Sequence, residues 1–571
     1  MDFLQLKKNL KKDFSKLKLL KIAILGDSST QLLHQAIKGY GFEGAINFEI
    51  YEADYDQIEQ EILTGSSGLY EFQPDYVLLS FTTQKLYSKF CKTSFNGKTS
   101  FADDHIQLTN TLLESINERI KTKVIYSNFI EINDFVFGNF GNKIESSFIF
   151  QLRKLNYELM KLAIVNKNVF INDVSSLNNE VGNTASFDSK IYINADFVYS
   201  LDFLVRVASN IVTIVLPQIG RLNKCLILDL DNTMWGGIIG DDGIENIQIG
   251  DLGIGKAFTR LQTWAKQLKQ RGIILAVCSK NTESIAKEPF EKHPEMVLKL
   301  DDISIFVANW ESKVANIQYI QSVLNIGFDS IVFLDDNPYE RGLIRNALPD
   351  ITVPELPEDP ADYLDYVRNL NLFETASFSE EDLDRTKQYQ EEAKRSVQKQ
   401  SFVSDDDYLA SLQMTSQVAA FDKFTIPRVA QLSQRSNQFN LRTIRYTEDD
   451  IARISESSDF CTLSFDLKDT FGDYGLISAV ILKRKEDYLF IDTWIMSCRV
   501  LKRGMEEFVL NCIVHIAKRN KINKIVGEYV PTSKNGIVKE HYANLGFKLE
   551  DGYWYLGVEK FEELKSYIHE K

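Results

Sequence analysis

The sequence predicts a multidomain α/β protein, and three observations carry that prediction. At 571 residues the chain exceeds what one hydrophobic core organises, and its 44% hydrophobic share is ordinary for globular protein. From residue 21 to about 372, short apolar runs alternate with helix-periodic stretches, as parallel strands covered by helices require. From about 405 onward the order changes to hairpin-forming strands followed by an amphipathic helix, an α+β pattern.

Composition narrows the function classes. With 65 Lys and Arg against 80 Asp and Glu, the net charge of −15 argues against nonspecific nucleic-acid binding. Six cysteines without a repeated CxxC spacing fit reduced thiols better than a disulfide framework or zinc cluster. No run approaches membrane-spanning length, and Met1 to Lys21 is Lys-rich and amphipathic with no apolar signal core. The expectation is a cytoplasmic enzyme with no membrane or nucleic-acid partner.

Residues 1–20 read as an N-terminal amphipathic helix, and 21–218 as a doubly wound α/β domain with strands at Lys21-Ile-Ala-Ile-Leu, Asp75-Tyr-Val-Leu-Leu-Ser and Val124-Ile-Tyr-Ser. After the first strand, Gly26-Asp27-Ser28-Ser29 resembles the opening block of SGNH hydrolases, with Ser28 in the nucleophile position. Those enzymes need a late histidine base, and no histidine lies between His105 and His293. A serine without a base is a poor nucleophile. The domain is therefore expected to lack a complete triad, with Asp27 or Ser28 capping a strand-to-helix turn and Asp103-Asp104-His105 opening a helix.

Residues 222–372 carry the strongest chemical signal. Cys225-Leu-Ile-Leu-Asp-Leu-Asp231 is an apolar strand ending in two carboxylates one residue apart, which strand alternation places on one face. One carboxylate can attack phosphorus while the other carries the proton of the leaving oxygen and then of the attacking water. A second strand, Gly272 to Ser279, ends in a hydroxyl able to bond a phosphoryl oxygen. Lys313 follows on a helix after Trp310-Glu-Ser, as a candidate charge bridge between nucleophile and phosphate. A third strand, Ser330-Ile-Val-Phe-Leu, delivers Asp335 and Asp336, so hard oxygen ligands from two strand ends describe a Mg²⁺ site.

In that order the motifs resemble those of the haloacid-dehalogenase (HAD) superfamily. The resemblance implies Asp229 as nucleophile, Asp231 as general acid/base, Thr233 as an orienting hydroxyl, Ser279 and Lys313 as phosphoryl binders, and Asp229, Asp231, Asp335 and Asp336 around the metal, with Asn337 beside the substrate. Between Asp231 and Ser279 lie only a Gly-rich, hairpin-like stretch, Trp235 to Gly243, and one amphipathic helix, leaving no room for a large cap. The capless stretch DLDNTMWGGIIGDDG and DDNPYER at 335–341 resemble the FkbH-like, subfamily IIIC branch. Members of that branch are known for making a glyceryl thioester on an acyl carrier protein from 1,3-bisphosphoglycerate.

Residues 373–404 are dense in Glu, Lys, Arg and Gln and read as a solvated linking helix. Residues 405–571 resemble a GNAT acyltransferase domain: strands at Leu476 to Leu482 and Tyr488 to Trp494, a loop of Arg499, Lys502 and Gly504 entering a helix, and a terminal Tyr542 to Phe547 region. In that family such a loop offers its amides to the pyrophosphate of coenzyme A, and Lys502 stands where the first glycine belongs. Arg435-Ser-Asn-Gln-Phe-Asn-Leu-Arg442 resembles an NQFN signature, whose Asn437, Gln438 and Asn440 either bind glycerate or a pantetheine amide or satisfy local backbone groups.

The resemblance implies an enzyme-bound glyceryl thioester, for which Cys498, next to Arg499, is the candidate thiol and Cys278 the runner-up. The expected function is dephosphorylation of a phosphorylated three-carbon substrate and loading of its glyceryl group on the phosphopantetheine arm of a carrier protein. The alternatives are a HAD phosphatase or acyltransferase acting on another phosphorylated small molecule in polysaccharide or secondary-metabolite assembly, and a largely noncatalytic scaffold.

Overall fold

The computed structural model describes residues 1–378, 388–391, 395, 402, 404–497, 500–532 and 534–571. It divides into two compact units, Met1–Leu216 and Pro217–Lys571.

In the first unit, five parallel strands, β1 (Lys18–Gly26), β2 (Ile46–Glu52), β3 (Tyr76–Ser80), β4 (Lys123–Ser127) and β5 (Val169–Asn172), form a sheet in the order β2-β1-β3-β4-β5. That is a doubly wound α/β arrangement, with strand order reversing beside β1. At the reversal, Asp27 is buried and accepts from the Thr82 backbone N–H at 3.0 Å and the Thr82 hydroxyl at 2.9 Å, which ties the turn after β1 to the loop after β3. Ser28 is buried beside it. The two histidines of this unit are bonded elsewhere, His34 to Glu52 at 3.0 Å and His105 to the Tyr126 hydroxyl at 3.1 Å. His105 lies on the helix Phe101–Arg119, where burial pushes its pKa down to about 4.

Two expectations for this region need correction. The N-terminal helix spans only Phe3–Asn9, stopped between the Asp2 capping box and a turn, and β1 already begins at Lys18. Leu201–Gln218 is a helix long and apolar enough to cross a membrane by length and composition. Its apolar window is 61% buried, as in the core helix of a packed domain.

The second unit opens with a parallel four-stranded sheet, β6 (Cys225–Leu228), β7 (Ile274–Ser279), β8 (Ile305–Ala308) and β9 (Ile331–Leu334), in the order β8-β7-β6-β9. Alternation along these strands divides the apolar residues between two cores. Leu226, Leu228, Leu275 and Val277 pack with the helix Gly255–Gln270, while Cys225, Ile227, Ala276 and Cys278 pack with the helix Lys313–Leu324.

The following segment differs from a solvated linker at two described positions. Tyr389, 5% exposed, joins the core around β6 and β9, and Arg395, 1% exposed, faces Asp469 at 3.3 Å.

The C-terminal part is a nine-stranded sheet. Its strands are β10 (Met414–Ser416), β11 (Val418–Ala419), β12 (Phe460–Lys468), β13 (Asp473–Arg484), β14 (Leu489–Met496), β15 (Lys524–Gly527), β16 (Lys548–Glu550), β17 (Tyr553–Gly557) and β18 (Ile568–Glu570). β12, β13 and β14 are antiparallel neighbours, and β14 pairs in parallel with β15 through the crossover helix Met505–Arg519. The whole is therefore the mixed α/β multidomain protein that the sequence predicts.

Candidate active site

The carboxyl ends of β6, β7 and β9 bring the phosphoryl-transfer motifs together. The strand β6 ends at Leu228, so Asp229 and Asp231 lie on the turn beyond it and strand alternation does not govern their directions. The Asp229 N–H donates to the Leu334 carbonyl at 2.9 Å, which anchors this turn to β9. The turn then reverses through Asn232, whose φ of +55° is of the left-handed kind that Asn tolerates.

Lys313 is the hub. It is the first residue of its helix, whose N-cap Ser312 accepts from the Val314 N–H at 3.2 Å. Its ammonium lies 3.0 Å from Asp229 Oδ2 and 2.6 Å from Asp335 Oδ2, all three side chains being buried. Burial raises the Asp229 carboxyl above the usual carboxylate range, opposed by Lys313, and Asp335 is pushed up to about 6 by burial and then by Asp229. The two carboxylates in turn hold the lysine firmly protonated, above its ordinary value.

Oxygens of Asp229, Asp335 and Asp336 all lie within 4.8 Å of one another, a group of hard donors able to hold a divalent cation. Asp231, expected beside the metal, stands outside this group. Its Oδ1 accepts from the Trp235 indole N–H at 2.9 Å and the Ile239 N–H at 3.0 Å, and its Oδ2 from the Asn281 amide at 3.2 Å. Thr233 lies between motifs: its hydroxyl donates to Asp336 Oδ1 at 3.3 Å and accepts the Asp336 N–H at 3.1 Å. Ser279 is buried at the end of β7. The Asn337 side chain caps its own helix, accepting from the Tyr339 N–H at 2.9 Å.

Three partners escape a motif reading. Trp235 and Asn281 fix Asp231, and buried Arg341 donates to the Asp335 and Asp336 carbonyls at 2.8 and 2.7 Å, shaping the loop after β9. All three lie in or beside the motif strings, but spacing alone assigns them no role. Trp235 to Gly243 is not a hairpin. Single bridges join Asp231 to Trp235 and Gly236 to Gln248, and Ile239–Asp242 is a short helix. Gly237 has φ +97°, and an added Cβ there would meet Asp242 Oδ2 at 2.6 Å. Among the described residues no cap domain follows, and Trp310, on the loop beyond β8, and Tyr339, in the first turn of the helix Pro338–Ala347 after β9, are 74% and 72% exposed.

The family described as "FkbH, N-terminal domain" matches residues 21–216. A solved structure of the N-terminal part of the protein BF1531 from Bacteroides fragilis, containing a phosphatase domain complexed with Mg, is 51% identical. The match covers 66% of this chain and 100% of that one, with a TM-score of 0.64. The chain belongs to the FkbH family. No curated protein matches the sequence. Chains similar to a part of this FkbH-family protein include the ribosomal-protein-S18-alanine N-acetyltransferase from Escherichia coli and the spermidine N-acetyltransferase from Vibrio cholerae, each 13% identical, with a TM-score of 0.21. Each covers 26% of this chain, and the match spans 97% of each acetyltransferase. Likeness at that level bears on neither activity nor ligand.

In this FkbH-family protein the remaining predicted residues sit in the C-terminal part. Asn437 donates to the Gly220 carbonyl at 2.7 Å and accepts from Arg445 at 2.6 Å, and Asn440 accepts the Thr443 N–H at 2.8 Å. Both asparagines thus satisfy protein groups. Gln438 instead lines a cavity of about 410 Å³, with Lys224, Ser330 and Ser497 among its other walls. Lys224 and Ser330 immediately precede β6 and β9, so this cavity lies at the opposite ends of those strands from Asp229 and Asp335. Gly504, with φ +78°, caps the helix Met505–Arg519, and Lys502 keeps φ +62°, so the loop retains a glycine-like backbone turn with a lysine in it. Cys498 and Arg499 lie outside the described residues. Cys278 is fully buried, with a thiol pushed up to about 12 by burial, which disfavours the reactive thiolate.

Proposed function

We propose that this chain is a Mg²⁺-dependent HAD-type phosphatase that removes phosphate from a phosphoglyceryl substrate and loads the glyceryl group as a thioester on an acyl carrier protein. The observation that carries the phosphatase reading is Lys313, at a helix start, bridging Asp229 and Asp335 beside Asp336 at the converging ends of β6 and β9. The donor set fits Mg²⁺, since all three candidate ligands are hard carboxylate oxygens, and the ion would supply charge neutralisation for the phosphoryl oxygens.

The chain's own residues perform the rest. Asp229 attacks phosphorus, forming an Asp–O–P bond as the P–O bond to the substrate breaks. Asp231, held by Trp235 and Asn281, gives the departing alkoxide its proton and then takes one from the water that hydrolyses the aspartyl phosphate. Lys313 and Ser279 hold phosphoryl oxygens, and Lys313, 3.0 Å from Asp229 Oδ2, aims the nucleophile and opposes its protonation.

Glyceryl transfer needs a separate thiol. With 1,3-bisphosphoglycerate, the thiolate of Cys498 attacks the acyl carbon, the C–S bond forms, and the C–O bond to the 1-phosphate breaks with release of phosphate. Exchange with the carrier thiol then frees the cysteine. The burial of Cys278 supports Cys498 over it.

The open rim at Trp310 and Tyr339 favours one alternative, a phosphatase of another phosphorylated small molecule in polysaccharide or secondary-metabolite assembly. Intact-protein mass spectrometry with Mg²⁺, 1,3-bisphosphoglycerate generated in place and a pantetheinylated carrier distinguishes them. A glyceryl mass that moves from enzyme to carrier supports the transfer reading. Phosphate release without any adduct supports the alternative.

A further inference from the structure

The cavity beneath β6 and β9, of about 410 Å³, has none of the phosphoryl-transfer residues in its walls, and its size falls within the range of small-molecule sites. Its walls come from two parts of the second unit. Lys224 and Ser330 stand just before β6 and β9, while Ser497 follows β14 and Arg428 and Arg435 lie on the helix Ile426–Arg435. That helix is fixed by Val429, Ala430 and Leu432, which pack with Ala479 of β13 and Ile495 of β14. An occupant therefore touches both the base of the phosphatase sheet and the C-terminal sheet.

The charge of the walls runs against that of the chain. Four bases, Lys224, Arg428, Arg435 and Lys534, face two acids, Asp329 and Asp350, in a protein whose net charge is −15. Lys534 is paired with Asp329, so the balance of the walls is set by Lys224, Arg428 and Arg435 against Asp350. A second cavity, of about 440 Å³ at the helix Met505–Arg519, has the opposite balance, with Asp406, Glu506 and Glu507 against Lys502 and Lys565. Basic walls are thus particular to the first cavity, and they favour an anion.

The bases are placed for a ligand with two charged ends. Arg428 and Arg435 are seven residues apart on one helix, which puts them on one face with about 10 Å between them along the axis. Arg428 is 6% exposed and donates to the Leu476 carbonyl at 3.4 Å, and Lys224 donates to the Arg435 carbonyl at 2.8 Å. Such bonds hold long side chains in one direction before a ligand arrives, which lowers the entropy cost of binding. A guanidinium fork suits a carboxylate or a phosphate, and the buried Ser330 and Ser436 add hydroxyls to the walls.

We propose that this cavity binds a compact molecule with an anionic group at each end and hydroxyls between them, the chemistry of a phosphorylated hydroxy acid, at a site separate from the phosphatase centre. The assignment goes beyond the function proposed above, since it requires neither Mg²⁺ nor glyceryl transfer.

Titration calorimetry of the full chain in EDTA tests this with 3-phosphoglycerate, and with glycerol 3-phosphate as the analogue that lacks one charged end. EDTA withholds the cation that the phosphatase centre uses to hold a phosphoryl group. 3-Phosphoglycerate is expected to bind at least fivefold more tightly than glycerol 3-phosphate. Arg435→Gln should weaken it at least tenfold, while Ser279→Ala, at the phosphatase centre, should leave its affinity within twofold. No binding, equal affinities for the two ligands, an affinity unaltered by Arg435→Gln, or a loss in Ser279→Ala as large as in Arg435→Gln would each overturn the assignment. If Arg435→Gln misfolds by circular dichroism, Lys224→Gln is held to the same criterion.

Discussion

Lys313 lies against two buried carboxylates at once, and its contact opposes the burial that raises the Asp229 carboxyl above the ordinary carboxylate range. Asp229→Asn keeps the shape and removes the nucleophile. Phosphate release should fall by ~10³-fold or more with the circular dichroism spectrum unchanged, and retained activity would remove Asp229 from the mechanism. Asp27 makes a pH prediction in the other unit. Burial raises it to about 6, so its neutral form is the one the folded chain favours. Its contribution to stability is full below the ordinary value of 3.8 and is lost as pH rises through about 6, by about 3 kcal/mol. The urea midpoint of the first unit should therefore fall between pH 4 and pH 7 in the unmodified protein and fall less in Asp27→Asn. Equal pH dependence in the two would refute it. At this scale Asp229, Lys313, Asp335 and Asp336 were legible because each follows or opens an element with an apolar signature. Trp235, Asn281 and Arg341 were not, since their roles depend on which loops meet in space.

The helix Lys313–Leu324 shows how an element can carry chemistry from its first residue. Its cap, Ser312, sits one position before the bridging lysine. Ser312→Ala should cost about 1 kcal/mol, and fraying at this terminus should also loosen Lys313. The expected result is a lower thermal midpoint together with a severalfold lower kcat, and a stability loss with unchanged kcat would separate the cap from the site. Strands β6, β7 and β9 were readable as apolar runs, but β6 is only four residues long and ends before either aspartate. Alternation therefore did not reach Asp231, and its exclusion from the carboxylate group follows from a turn that hydrophobic periodicity does not encode. The charged run before residue 404 misled in a related way: Arg395 meets Asp469, a partner remote in sequence, so composition alone read it as solvated.

At the level of the whole molecule, every residue of the candidate phosphatase site lies in Pro217–Lys571. A chain beginning at Pro217 should retain phosphate release from simple esters at a rate within a few-fold of the full protein. Loss of release by a folded 217–571 chain would show that the first unit completes the site. The alternating strand–helix order made both parallel sheets legible, and the switch to hairpins marked the C-terminal sheet. The cavities were beyond a sequence reading, since their walls are drawn from segments far apart in the chain, Lys224 and Lys534 in one and Asp406 and Tyr567 in the other. One ring belongs to both: Phe439 lines the cavity beneath β6 and β9 and also the one at the helix Met505–Arg519. It acts as a bulkhead between two compartments, and its loss would be felt as leakage. If the proposed glyceryl transfer runs through the C-terminal domain, Phe439→Ala would open a passage for water to its thioester, so free glycerate would accumulate at the expense of the acylated carrier.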